Sequence, residues 1–247
     1  MNWYWYRRMA EGAPWLVDKR VFKRVVILCS FLGLGPLGDR GSRAMEEEPA
    51  IRTIELQGSK LHALVAGPAD GFPVLLLHGR RFHSGTWLEI ETYGRLATQG
   101  YRVVGVDLPG YGRSEKSEVP WDRFLAELIP ELGMGKPVIV APSMSGGYAF
   151  ALLVEHPEFA SGFVGVAPAW AKDHESGIQN IKVPTLLLWG EKDAISPVSL
   201  GEKLRSLIEG SRMVVLDGAS HPCYLDRPDE FHQTLLEFLE TIRSANR

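Results

Sequence analysis

The feature that most constrains this chain is an alternation that begins near residue 50. Short continuous apolar runs take turns with stretches of helical periodicity. Val74–Leu77, Tyr101–Val106, Pro137–Ala141, Gly162–Val166, Thr185–Trp189 and Arg212–Leu216 are all of strand length. Strands covered on both faces read as such runs, which is the habit of parallel sheets. Between them the spacing of apolar residues predicts helices over Trp87–Thr98, Trp121–Leu132, Gly146–Glu155 and Pro197–Ile208. A last amphipathic helix, Asp229–Ile242, puts Phe231, Leu235, Phe238, Leu239 and Ile242 on one stripe. Repeated strand–helix–strand units give an α/β fold, a mostly parallel central sheet with helices on both faces. Arg52–Gln57 and Lys60–Ala66, joined at Gly58-Ser59, add an antiparallel hairpin at one edge. In such sheets ligands bind beyond the carboxyl ends of the strands, so chemistry is expected just after strands.

Charge divides the chain. Residues 1–44 hold eight Lys or Arg against three Asp or Glu, a net of +5 against −8 for the rest, which together make the −3 of the whole. This basic and apolar stretch reads as an N-terminal extension, disordered or a leader, ahead of a domain over 45–247. Its apolar run Val25–Gly38 holds three glycines and a proline and falls short of the ~20 residues that a spanning helix needs. Membrane contact through residues 15–38 is therefore an alternative to the favoured cytoplasmic reading. The acidic balance of the domain offers no basic footprint for nucleic acid. Two cysteines, Cys29 and Cys223, make no disulfide framework. No paired His or Cys stands at ligand spacing, so neither a metal nor another cofactor is expected.

Three segments at strand ends carry reactive residue types. Ser143-Met144-Ser145-Gly146-Gly147 follows one strand and opens a helix. Two serines satisfy the small-x-Ser-x-small pattern there. Ser145 is taken as the nucleophile, because two glycines follow it and its hydroxyl would meet the helix N-terminus. Asp193 follows the next-to-last strand in Trp189-Gly190-Glu191-Lys192-Asp193, and His221 follows the last in Gly218-Ala219-Ser220-His221-Pro222. His221 would take the serine proton while Asp193 fixes its tautomer. Leu77-His78-Gly79-Arg80 ends the third strand and resembles the His-Gly motif of the α/β-hydrolase family, a resemblance that implies an oxyanion hole from the backbone N–H groups of Arg80 and Gly146. Arg81, Met144 and Ala169 are expected to line the substrate site.

The order Ser, Asp, His at three strand ends, the His-Gly loop and Asp107-Leu108-Pro109-Gly110-Tyr111-Gly112-Arg113-Ser114 together resemble the α/β-hydrolase family. Only Ala167–Pro184 separates the sixth and seventh strands, too little for the helical cap domain of many members. Within the family, Pro142-Ser143-Met144-Ser145-Gly146 and Ser220-His221-Pro222-Cys223-Tyr224-Leu225-Asp226 resemble the cap-less alpha/beta-hydrolase-domain-containing 14 subgroup. The resemblance implies a serine hydrolase acting on small acyl groups, as esters or as acyl-amines such as acyl-lysine. It also raises a protein partner. Two alternatives share every residue above: an acyltransferase to a thiol acceptor, and a catalytically idle protein-binding module.

Overall fold

The computed structural model describes residues 48–169 and 175–246. The extension over 1–44, with the 15–38 segment, lies outside the described residues. Among the described residues no helix is long and apolar enough to cross a membrane.

Eight strands form one sheet: β1 Ala50–Leu56, β2 Ser59–Ala66, β3 Phe72–Leu76, β4 Tyr101–Val106, β5 Val138–Pro142, β6 Gly162–Val166, β7 Thr185–Gly190 and β8 Arg212–Leu216. Their spatial order is β1-β2-β4-β3-β5-β6-β7-β8. β2 pairs antiparallel with β1 and β4, and every pairing from β4 to β8 is parallel. The edge hairpin turns on Gln57 and Gly58, both at positive φ, rather than on Gly58-Ser59. Two consecutive left-handed residues match the twist of the strands that they join.

The sheet is covered on both sides, and successive residues of a strand serve opposite cores. Leu75 and Leu77 face one core, with Phe124, Leu128, Phe150 and Leu204 from α3 (Phe124–Leu132), α4 (Ser145–Glu155) and, after α5 (Glu175–Ile178), α6 (Val198–Leu207). Val74 and Leu76 face the other, with Trp87, Tyr93, Phe231 and Leu235 from α1 (Thr86–Glu89), α2 (Thr92–Ala97) and α8 (Pro228–Ala245). Each such side chain contributes about 1.5–3 kcal/mol by leaving water. β5, β6 and β7 are buried throughout.

One predicted helix is two. Trp87–Thr98 breaks at Ile90-Glu91, where Glu91 takes a left-handed φ of 62°. The break lets both pieces bury the same side. Trp87 Nε1 donates to the Leu77 carbonyl at 2.8 Å, and the Tyr93 hydroxyl donates to Ser84 O at 3.1 Å. Tyr93 also explains Gly105, whose added Cβ would lie 1.9 Å from its hydroxyl. Across the fold, Thr92 Oγ1 meets buried His232 Nε2 at 2.9 Å and ties α2 to α8.

Candidate active site

Pro142 still pairs with Val166 in the sheet, so β5 runs one residue further than its apolar run suggests. The chain then turns at once. Ser143 sits at the apex with φ of 49°, and α4 begins two residues later at Ser145. The apex is held from both ends. The Ser143 N–H donates to Val166 O at 2.9 Å, and its carbonyl accepts from Gly146 N at 2.9 Å and Ala169 N at 2.7 Å.

The side chain at this apex is the one that meets the histidine. Ser143 Oγ lies 2.8 Å from His221 Nε2, and His221 Nδ1 lies 2.7 Å from Asp193 Oδ2. Ser145 is instead fully buried, and its hydroxyl donates to Pro142 O at 2.9 Å. The expectation that Ser145 partners His221 is therefore corrected to Ser143. Ser143 remains partly exposed. The glycines that favoured Ser145 serve packing: a Cβ on Gly146 would come within 2.5 Å of Pro168 Cβ and 2.6 Å of Ala169 O.

Asp193 lies in the turn after β7 with its carboxylate wholly buried. Its Oδ1 accepts from the backbone N–H groups of Ile195 (2.9 Å) and Ser196 (2.7 Å), leaving Oδ2 aimed at the imidazole. Gly190 lets this turn approach the histidine loop, since a Cβ there would lie 2.1 Å from Ser220 O. His221 is tethered from its other side, where Asp226 accepts from Ser220 N at 2.7 Å. Asp226 belongs to α7 (Cys223–Asp226), a short helix that apolar periodicity does not announce. Cys223 is buried, and burial followed by the Asp193 charge pushes its thiol up to about 12.

The expected oxyanion donors need a second correction. The Gly146 N–H is committed to Ser143 O at 2.9 Å. With Ser143 at the apex, the donor next in the chain is the Met144 N–H. On the His-Gly loop, a Cβ on Gly79 would stand 3.6 Å from Ser143 Cβ, and Arg80 is the next residue in the chain. Arg81 is exposed, Met144 is half-buried after Ser143, and the Ala169 N–H donates to Ser143 O.

This geometry has relatives. Residues 74–177 match the model of the alpha/beta hydrolase family, and residues 163–245 that of TAP-like protein. Over 202 residues the chain is 41% identical to rat "Putative protein-lysine deacylase ABHD14B", covering 77% of this chain and 95% of that one. The chain belongs to the ABHD14 subgroup of the α/β-hydrolase family. Mouse ABHD14A is 39% identical over 175 residues, 68% of this chain and 70% of the relative. The crystal structure of a predicted CIB-like hydrolase from Thermoplasma acidophilum superposes with a TM-score of 0.75 at 28% identity, covering 78% and 98% of the two chains.

In this α/β-hydrolase two buried groups hold the loops around Ser143. His78 Nδ1–H donates to Gly79 O at 2.8 Å while its Nε2 accepts from Leu108 N at 2.9 Å, so the neutral ring clips the His-Gly loop to the loop after β4. Asp107 accepts from Ser84 N (2.6 Å) and Arg113 N (2.8 Å). Burial opposes its ionisation, but those donors outweigh burial and hold its carboxyl below the ordinary range.

Burial likewise lowers His78, and lowers His232 to about 4, with Arg95 adding to the effect and Asp229 and Glu91 opposing it. Unfolded histidines near 6.5 would bind protons that these two refuse. Their contribution to stability is thus complete above pH 6.5 and is lost as pH falls toward the folded values. For His232 the loss at pH 5 is about 1 kcal/mol once solvent screening is allowed for. Thermal melts at pH 7.5 and pH 5 should show it, and His232→Gln should reduce the difference. An equal pH response in that variant would contradict the assignment.

Proposed function

We propose that this α/β-hydrolase is a serine hydrolase that removes small acyl groups from esters and acylated amines through an acyl-enzyme on Ser143. The observation that carries the reading is the unbroken hydrogen-bond chain from Ser143 Oγ through His221 to Asp193, at 2.8 and 2.7 Å, beyond the carboxyl ends of β5, β7 and β8. A serine at a strained apex, touching an imidazole that a buried carboxylate orients, is the arrangement that acyl transfer needs.

Ser143 Oγ attacks the acyl carbonyl as His221 Nε2 takes its proton. The Met144 and Arg80 backbone N–H groups stabilise the oxyanion, each worth about 10²–10³ in rate. Collapse expels the alcohol or amine, which takes the proton from His221. Water, activated by the same imidazole, then releases the acid and restores Ser143. The β6–β7 connection runs only from 167 to 184, too short for a cap domain. This suits an acyl group presented on a large partner, and the deacylase in the name of rat ABHD14B supports acyl-lysine as the amine form.

A fluorophosphonate probe should label the intact protein, and peptide mapping should put the adduct on Ser143. Folded protein that stays unlabelled, or an adduct on Ser145, would overturn the reading.

A further inference from the structure

A cleft of about 600 Å³ opens beside the first turn of α4. Its walls include Tyr111, Val119, Trp121, Phe124 and Tyr148, and Lys116 is the only charged residue among its described lining. Tyr111, in its wall, reaches the neighbourhood of the site, its hydroxyl 3.1 Å from the sulfur of Met144, the residue after Ser143. Tyr148 stands on α4 itself, edge-on to both Trp121 and Phe124. Trp121 is 45% exposed, and a Cβ on Gly147 would lie 3.8 Å from its ring. Lys116 is exposed, and among the described residues it forms no ion pair with an acid, so its ammonium is available at an aromatic slot.

Sheet order tells which part of a substrate reaches this cleft. Ser143 follows β5. The segment from Tyr111 to Trp121 follows β4, on one side of β5, while Asp193 and His221 follow β7 and β8, on the other. The leaving group must lie against His221, which gives it a proton. The substituent on the acyl side of the carbonyl therefore extends the opposite way, toward the β4 side. We infer that the Tyr111–Trp121–Tyr148 cleft is the acyl subsite, and that Lys116 selects acyl chains ending in a carboxylate. The inference rests on Ser143 as nucleophile and names the substrate class that this serine would take. An aromatic slot holds the methylenes, and the ammonium meets the distal charge.

The test is a matched pair, ethyl pentanoate and monoethyl glutarate, which differ only in the terminal carboxylate. The wild type should favour glutarate in kcat/KM by about fivefold, the upper range for a solvent-exposed ion pair. Lys116→Gln should abolish that preference. Trp121→Ala should lower both five-carbon esters about tenfold relative to ethyl acetate. Ligand-observed NMR on Ser143→Ala supplies a readout free of turnover: free glutarate should bind more tightly than pentanoate, and adding Lys116→Gln should equalise them. Turnover whose ratios move in neither variant overturns the subsite and leaves Ser143 in place. Preferential glutarate binding without any turnover by the wild type overturns Ser143 as nucleophile and leaves the subsite in place.

Discussion

Ser143→Ala should lower kcat on a small acyl ester by about 10⁵–10⁶, while Ser145→Ala should stay within a few-fold of the wild type. Loss of a triad nucleophile removes covalent catalysis outright and leaves only what binding and the oxyanion donors supply. The hydroxyl lost in Ser143→Ala is the one 2.8 Å from His221, and nothing else at the apex can replace it. Ser145→Ala loses a buried bond to Pro142 O, which costs about 1 kcal/mol of stability and no reacting atom. Steady-state kinetics on both variants, with circular dichroism to show that they fold, decides the matter. Equal losses, or a larger loss in Ser145→Ala, would return the nucleophile to the helix start.

The second large effect concerns Asp193→Asn, for which a drop of about 10⁴ in kcat is expected with the fold intact. The reason is specific to this turn. Two backbone N–H groups, from Ile195 and Ser196, already point at Oδ1, so the asparagine oxygen must sit there. Its NH₂ then occupies the Oδ2 position and donates to His221 Nδ1. That forces the proton onto Nε2, the atom that has to accept one from Ser143. Asp193→Glu tests the same point from the other side, since its charge returns but its reach is wrong for the two donors. An Asn variant with wild-type kcat would show that Asp193 does not set the tautomer.

Most of the sheet was legible because its strands are buried on both faces, and continuous apolar runs such as Tyr101–Val106 and Gly162–Val166 have no other easy reading. The helix break at Glu91 was not, because Trp87, Tyr93 and Leu96 keep helical spacing across it while a left-handed residue redirects the chain. At the site, His221 is the one histidine at its strand end, while Asp193 shares the turn after β7 with Glu191. The serine had two, and the pattern of small neighbours fits both. What separates them is where β5 stops. The apolar run suggested an end at Ala141, yet Pro142 still lies in register with Val166, which brings the turn onto Ser143. The glycines after Ser145 drew attention to the wrong residue, since Gly146 is needed for its contact with Pro168 and Ala169. The slot at Trp121 and Lys116 left no mark in the sequence, because its walls come from a loop and two helices that only the fold brings together.

The tethering of Ser143 by β6 bears on when the hydroxyl becomes reactive during the life of a chain. A left-handed conformation costs a serine about 1–2 kcal/mol, and here it is compensated by bonds to Val166 and Ala169, both more than twenty positions away. Before β6 docks on β5, the apex has only its local bond from the Gly146 N–H, and the imidazole arrives from still later in the chain. A nascent or partly unfolded molecule thus carries an ordinary serine. On the proposed mechanism, covalent probe signal should therefore count native molecules and gauge folding yield across temperature, denaturant or destabilising variants.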